Sequence, residues 1–362
     1  MPITTEERQS PTLPKLLIPT RNRPFALGQV LDYLERFYPG TEVIVADGSA
    51  DEYKAAVAET CGGRGGAAVD LRSYPYELPL FERILDVLRS EDGEYFVMGA
   101  DDDFPMMEVM DEGEAFLEEH PDHCLAMGSY VSLFLQAPDS INAQLRIART
   151  LAQENPLQRM RSATEMVMQT TYATARRDLL IERYDRARHV FLTGFFDFAT
   201  ALQDSIRGKI HAFPKIGFIS TRNYNHSYLR QEDNLIHLRR SDDLLWLIHR
   251  TRDDLVAATG MDEDRATVQC GRLFNLAICN NSGRRFDRVD GFHEGPVFKH
   301  PAVQRQIEDF NDLFKDGTAV REVYRERLSF IGEALRANAM SEDNRGEKDR
   351  HETLEQQQAA SR

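Results

Sequence analysis

The sequence is poor in the residues that cross-link small domains or bind zinc. It has four cysteines, none spaced as C-x-x-C: Cys61, Cys124, Cys270 and Cys279. This argues against both a disulfide framework and a cysteine-based zinc site. Free thiols are typical of a reducing compartment, so we expect a cytoplasmic protein.

Long apolar runs are also missing. No stretch approaches the roughly 20 residues that a membrane-spanning helix needs, and residues 1–10 lack the apolar core of a secretory signal. A peripheral contact with the inner face of a membrane stays open. A predicted helix over 320–335 carries an apolar stripe flanked by arginines, although core or dimer packing is the commoner use of such a helix.

Basic residues are fewer than acidic ones, 44 against 59, which gives a net charge of −15. Proteins that grip polynucleotides usually present a basic face, so we expect no nucleic-acid partner. Hydrophobic residues make up 41% and charged residues 28% of the chain, which is ordinary globular usage. The length of 362 residues suits one large domain or two modest ones.

What the first 135 residues do contain is an alternation of short apolar runs with amphipathic stretches. The runs predict strands at 15–20, 42–46, 67–71, 95–100 and 124–133, and helices are predicted at 24–37, 53–58, 80–88 and 105–119. This alternation is typical of an α/β fold with a mostly parallel sheet flanked by helices. Ligands bind beyond the carboxyl ends of such strands.

The second half is mainly helical, with a helix predicted over 193–206, a strand within 211–220 and an almost wholly helical pattern from 232 onward. The predicted organisation is a flexible arm at 1–13, an α/β domain at 14–226, a helical region at 227–337 and a disordered tail at 338–362. We expect the helical region to pack on the sheet domain and to shape an acceptor site or a homodimer contact.

Three consecutive aspartates, Asp101, Asp102 and Asp103, follow the predicted strand at 95–100. Adjacent carboxylates repel one another unless water or a cation screens them, and Mg²⁺ or Mn²⁺ prefers oxygen ligands. Alternate residues of an extended segment point the same way, so Asp101 and Asp103 can converge on one ion. The alternative is a solvated acidic turn before a helix. A calcium EF-hand is excluded because Pro105 and Met106 replace a ligand and the required glycine.

Three segments in order resemble a known family: the opening IPTRNRP at 18–24, the strand end VADGS at 45–49 and EYFVMGADDDF at 94–104. They are similar to the P-T-x-N-R, acid-G-S and D-x-D motifs of family-2-like GT-A glycosyltransferases. The resemblance covers about 14–135 well and 190–226 loosely. It implies a GT-A, Rossmann-like fold and transfer of a sugar from a nucleotide-diphospho-sugar to an acceptor hydroxyl, with Mn²⁺ or Mg²⁺, in the synthesis of surface glycans or glycoconjugates.

The resemblance also implies residue roles. The residues expected to bind the donor nucleotide are Pro19, Thr20, Arg21, Arg23, Asp47, Asp101 and Asp102. Asp101, Asp103 and His226 are the expected metal ligands, and Arg222 is expected to contact the diphosphate. Asp47 has an alternative role in an Asx-type turn with Gly48, and His226 one as an ordinary loop histidine.

The same resemblance implies an inverting mechanism with a carboxylate base at the start of a late helix. Asp197 is the first candidate, although Phe196 stands where the family has another acid. Asp204, seven residues on and so on the same helix face, is the second. The alternative for Asp197 is a favourable interaction with the first helical turn.

Two other functions stay open. A nucleotidyltransferase would open with a Gly-rich loop and a basic R-x-x-P-K segment, but residues 16–30 contain only Gly28. A non-catalytic protein that binds nucleotide-sugars or acts as a scaffold would keep the fold without the reaction. Glycans, lipid-linked sugars and proteins are all open as acceptors.

Overall fold

The computed structural model describes residues 14–137, 140–165, 169–187, 193–222, 241–286 and 301–341. Four parallel strands form one half of a single sheet in the order β3-β2-β1-β4. They are β1 (Lys15–Thr20), β2 (Glu42–Asp47), β3 (Ala68–Ser73) and β4 (Tyr95–Met98). The crossovers between them contain α1 (Pro24–Phe37), α2 (Asp51–Cys61) and α3 (Leu80–Ser90).

The other half of the sheet is mixed. It comprises β5 (Phe104–Pro105), β6 (His123–Ala137), β7 (Ser140–Arg146), β8 (Thr174–Arg176) and β9 (Lys209–Arg222). The short β8 lies antiparallel between β4 and β6, so β6 runs in the same direction as β4. β9 is parallel to β6, while β5 pairs with β9 and β7 pairs with β6 in antiparallel fashion.

Eight further helices surround this sheet within the described ranges. They are α4 (Met107–Glu119), α5 (Pro156–Glu165), α6 (Arg177–Ala187), α7 (Thr193–Arg207), α8 (Ser241–Thr259), α9 (Glu263–Phe286), α10 (Pro301–Leu313) and α11 (Ala319–Met340). A 3₁₀ turn at Thr170–Tyr172 precedes β8.

β1, β2 and β4 bury both faces, as their continuous apolar runs predict. Leu17 and Ile44 point into one core, which α3 and α5 to α9 cover, whereas Leu16, Ile18 and Val43 point into the other, which α1, α2, α4, α10 and α11 cover. The predicted α/β fold with helices on both faces of the sheet is thus confirmed.

The C-terminal helices are not a separate layer. α8 and α9 join the first core and α10 and α11 join the second, so these four helices pack against both faces of the sheet. The last helix continues to Met340 and buries Asn338 and Ala339, three residues past the predicted boundary at 337. The predicted arm at 1–13 and residues 342–362 lie outside the described part.

No helix in the described ranges combines the length and apolarity needed to cross a bilayer. Cys61, Cys124 and Cys270 are buried free thiols. The segment between 138 and 187 holds β7, α5, β8 and α6, none of which was predicted from the sequence pattern.

Candidate functional site

The carboxyl ends of β1, β2 and β4 meet at one edge of the sheet, because these strands are parallel neighbours. Thr20 ends β1, Asp47 ends β2, and the aspartate triplet follows β4 by two residues. The sheet therefore brings together at this edge the residues that the three sequence motifs single out.

Two of the three aspartates are bound to the first strand end. The Thr20 hydroxyl donates to Asp101 Oδ2 at 2.8 Å, and Arg23 Nη1 donates to Asp101 Oδ1 at 2.7 Å. The same guanidinium donates through Nη2 to Asp102 Oδ2 at 2.8 Å. Such charge-assisted bonds are short and directional, so Arg23 holds Asp101 and Asp102 together.

Asp103 has a different environment. Its Oδ2 accepts from the Tyr172 hydroxyl at 2.7 Å and its Oδ1 from the backbone N–H of Thr221 at 2.8 Å. Burial, followed by the charge of Asp102, raises the pKa of Asp103 to about 7, while the Tyr172 and Thr221 hydrogen bonds and the charge of Arg222 act in the opposite direction. A negative charge at Asp103 is therefore poorly compensated by the protein itself.

Cationic side chains border the cluster. Arg222 ends β9 next to Thr221, with its guanidinium carbon 5.7 Å from the centre of the Phe134 ring. Arg21 is exposed just beyond β1, and its guanidinium carbon lies 3.8 Å above the Tyr76 ring. These positions suit contacts with an anionic ligand at the strand ends.

The end of β2 forms a tight turn. Asp47 is 1% exposed, and its Oδ1 accepts from the N–H of Ser49 at 2.9 Å. Asn22, with a positive φ of 58°, accepts from the N–H of Ala50 at 2.8 Å through its side-chain oxygen. The structure thus displays the Asx-type role of Asp47, and its nucleotide role stays a prediction.

A buried arginine donates hydrogen bonds to the backbone at this edge. Arg83 of α3 is 2% exposed, and its Nη1 donates to the carbonyl oxygens of Thr20 at 2.8 Å and Ala46 at 2.7 Å. Its guanidinium lies directly under Gly48, where a Cβ would come within 2.4 Å of Arg83 Cζ. Burial, and then the charge of Arg21, lowers the pKa of Arg83.

The two candidate bases lie on α7. The backbone of Asp197 falls in the first half of the helix, and its side chain is outside the described part. Asp204 is 1% exposed and bound to Arg183 Nη2 at 2.7 Å and to the Thr170 hydroxyl at 2.7 Å. Asp204 therefore has the environment of a structural ion pair, and the role of a base stays a prediction for both residues. His226 lies outside the described residues.

Sequence reasoning missed several residues of this edge. Tyr172 and Thr221 contact Asp103 from 69 and 118 residues away, and no local pattern marks them. Arg83 does leave a trace, since it is a charged residue among the apolar residues Phe81, Ile84 and Leu85 of a strongly amphipathic helix. Pro19 is half-buried in β1, next to Thr20.

No family model and no curated protein matches the chain. Its structure is similar to that of S. aureus TarS 1–349 in complex with UDP-GlcNAc, at 15% identity and a TM-score of 0.49 over 94% of this chain and 91% of that one. It is also similar to the mannosyltransferase PcManGT from Pyrobaculum calidifontis in complex with GDP-Man and Mn²⁺, at 15% identity and a TM-score of 0.43 over 90% and 86%. Similarity at 15% identity concerns the fold alone.

Proposed function

We propose that this protein is a glycosyltransferase that moves a sugar from a nucleotide-diphospho-sugar to an acceptor hydroxyl. The observation that carries the proposal is the arrangement of the aspartate triplet at the shared edge of β1, β2 and β4. Arg23 holds Asp101 and Asp102, whereas the hydrogen bonds to Asp103 come from the neutral groups of Tyr172 and Thr221. Asp103 is thus the carboxylate with the greatest need for a cation.

The residues fit a hard divalent ion. Asp101 and Asp103 supply oxygen donors, which Mn²⁺ and Mg²⁺ prefer, and a carboxylate oxygen that accepts one hydrogen bond keeps a second lone pair for a metal. Bound there, the ion would neutralise charge that develops on the departing diphosphate. His226 remains a further proposed ligand.

The chain's own residues would then orient the donor. Arg222 at the end of β9 and Arg21 beyond β1 are the cations proposed to contact the diphosphate and nucleotide. Arg23 keeps Asp101 and Asp102 in place, and Thr20 fixes Asp101 from the end of β1. Holding these groups before the donor arrives lowers the cost of ordering them in the transition state.

Proton transfer from the acceptor is assigned to Asp197. A carboxylate on α7 would take the acceptor's proton as the sugar carbon is attacked from the side opposite the diphosphate, which inverts the anomeric centre. Asp204 stays the second candidate, although its carboxylate is engaged by Arg183. The helical region beyond 240 is proposed to shape the acceptor site.

The metal assignment is tested with Asp103→Asn. In the wild type, we expect cleavage or transfer of the donor sugar that depends on Mn²⁺ or Mg²⁺. In the variant this activity should be lost, because a neutral amide does not balance the charge of the metal ion. The measurement is nucleotide release from UDP-, GDP-, CMP- and dTDP-linked sugars, together with metal-dependent thermal stabilisation by the same donors. Asp316→Asn is the matched control, since the Asp316 side chain is 94% exposed. Wild-type activity in Asp103→Asn would refute the site.

The base assignment is tested with Asp197→Asn and Asp204→Asn. We expect Asp197→Asn to lower turnover by about 10² to 10⁴ with donor binding and stability little changed. Asp204→Asn instead leaves the Arg183 charge buried without its counterion, so it should cost about 3–5 kcal/mol of unfolding free energy. Turnover per folded molecule and chemical denaturation separate the two effects. Retained configuration in the product, or full turnover in Asp197→Asn, would contradict the mechanism.

A further inference from the structure

A second group of metal-ligating side chains lies away from the aspartate triplet. His120, Asp122 and His123 each offer one ligand atom, and these atoms all lie within 4.8 Å of one another. His120 follows the end of α4, and His123 begins β6. Four residues of a single tight connection therefore supply two imidazoles and one carboxylate.

The geometry of the rings suits a common ion. With Zn–N distances of about 2.0–2.1 Å, two imidazoles on a tetrahedral ion have centres about 5 Å apart. The centres of the His120 and His123 rings are 5.5 Å apart at an interplanar angle of 65°. Phe116 stacks on the His120 ring at 4.1 Å, so His120 is held in place by packing. The spacing of the ring centres is thus close to that of two imidazoles on one ion.

The carboxylate is positioned by the neighbouring strand. Asp122 Oδ1 lies 2.8 Å from His123 Nδ1, while its Oδ2 accepts from Lys209 Nζ at 2.8 Å. The same ammonium contacts Glu154 Oε1 at 2.5 Å, so its charge is shared between two acids. Lys209 thus occupies one carboxylate oxygen, while Oδ1 is hydrogen-bonded to His123 Nδ1, a contact that a shared ion would replace.

The cluster lies at the edge of the sheet opposite the donor site. β6 runs in the same direction as β4, and the cluster is at the start of β6, whereas the aspartate triplet follows the end of β4. The two groups also differ in chemistry. Two imidazoles among three ligands favour zinc and similar transition metals, whereas the carboxylates of Asp101 and Asp103 favour Mg²⁺ or Mn²⁺.

We propose that His120, Asp122 and His123 form a zinc site with water as fourth ligand. The ion would join the end of α4 to the start of β6 and, through Asp122 and Lys209, to the start of β9. Because the ligands come from a preformed connection in the native chain, zinc binding should stabilise the folded state. This inference is independent of the sugar-transfer reaction.

The test uses the full chain with excess Mg²⁺ to occupy the proposed donor site. Zinc is titrated by calorimetry and by thermal unfolding, and Co²⁺ is used as a visible-absorption probe of a tetrahedral site. The wild type should bind one zinc ion at this site and unfold at a higher temperature. His120→Ala, His123→Gln and Asp122→Asn should each weaken zinc binding at least tenfold, since even outer-shell changes cost about 10–100-fold.

Two controls make the result specific. His249→Ala removes an exposed histidine of α8, and Asp103→Asn alters the donor site; both should keep the wild-type zinc affinity. If His123→Gln does not fold, His120→Ala remains decisive because His120 is only partly buried. Equal zinc affinity in the wild type and His120→Ala would overturn the proposal, as would an equal loss in His249→Ala.

Discussion

At the scale of single residues, Gly48 packs against the buried Arg83 at the edge that carries the candidate site. The Arg83 guanidinium donates to carbonyl oxygens near the ends of both β1 and β2, and Gly48 packs closely against it. A side chain at 48 would meet three Arg83 atoms at 2.4–2.7 Å. The glycine of the strand-end motif is thus explained by close approach of the guanidinium.

We therefore expect Gly48→Ala to destabilise the protein by about 1–3 kcal/mol through overpacking, and to weaken donor binding because the ends of β1 and β2 shift. Chemical denaturation and nucleotide titration measure the two effects. Gly271→Ala is the matched control: Gly271 lies in α9, and a Cβ added there would have no neighbouring atom within 4 Å, so alanine should stabilise the helix by about 0.5–1 kcal/mol. Equal stabilities of the two variants would contradict the explanation.

At the scale of elements, α4 carries a cluster of acids near its middle. Burial, and then the charges of Glu118, Asp111 and Glu94, raises the pKa of Glu114 to about 7, and its Oε2 is buried without a hydrogen-bond partner among the described residues. Because the pKa is higher in the folded than in the unfolded chain, the stabilisation by protonated Glu114 is present below about pH 4.5 and lost as the pH rises through 7.

Glu114→Gln should remove this pH dependence. We expect the variant to match the wild type near pH 4 and to exceed its stability at pH 8 by about 1 kcal/mol, after allowance for solvent screening of a half-buried group. Denaturation at a series of pH values tests this. Glu119→Gln, an exposed change at the end of the same helix, should leave the pH profile unaltered. A parallel offset at all pH values would argue against the titration of Glu114.

At the scale of the whole molecule, the C-terminal helices complete both cores. α8 and α9 pack on the face that contains Leu17, while α10 and α11 pack on the face that contains Leu16. Ile331 of α11 is fully buried, whereas Val323 of the same helix is 67% exposed. The helical region is therefore part of one folding unit with the sheet.

Ile331→Ala should accordingly cost about 2–5 kcal/mol of unfolding free energy, since it leaves a cavity in the core shared with α1 and α4. Val323→Ala should change it by less than about 0.5 kcal/mol. Both variants are compared by denaturation followed with probes in the sheet and in the helices. Separate transitions for the two parts in Ile331→Ala would contradict a single cooperative unit.

Local pattern alone determined much of this protein. The alternation of apolar runs with amphipathic stretches predicted β1 to β4 and the helices α1 to α4 within a few residues, because strand and helix periods are properties of neighbouring residues. Parallel pairing then follows from the crossovers, and it places Thr20, Asp47 and the aspartate triplet at one edge. The roles of Asp197, Arg222 and His226 stay predictions.

Only the tertiary structure decided how that edge is completed. Tyr172 and Thr221 reach Asp103 from distant segments, and the burial of Asp204 depends on Arg183 of another helix. The division of the C-terminal helices between two cores likewise follows from which apolar faces remain uncovered once the sheet has formed. These contacts join segments far apart in sequence, where packing and desolvation select the partners and local periodicity carries no information about them.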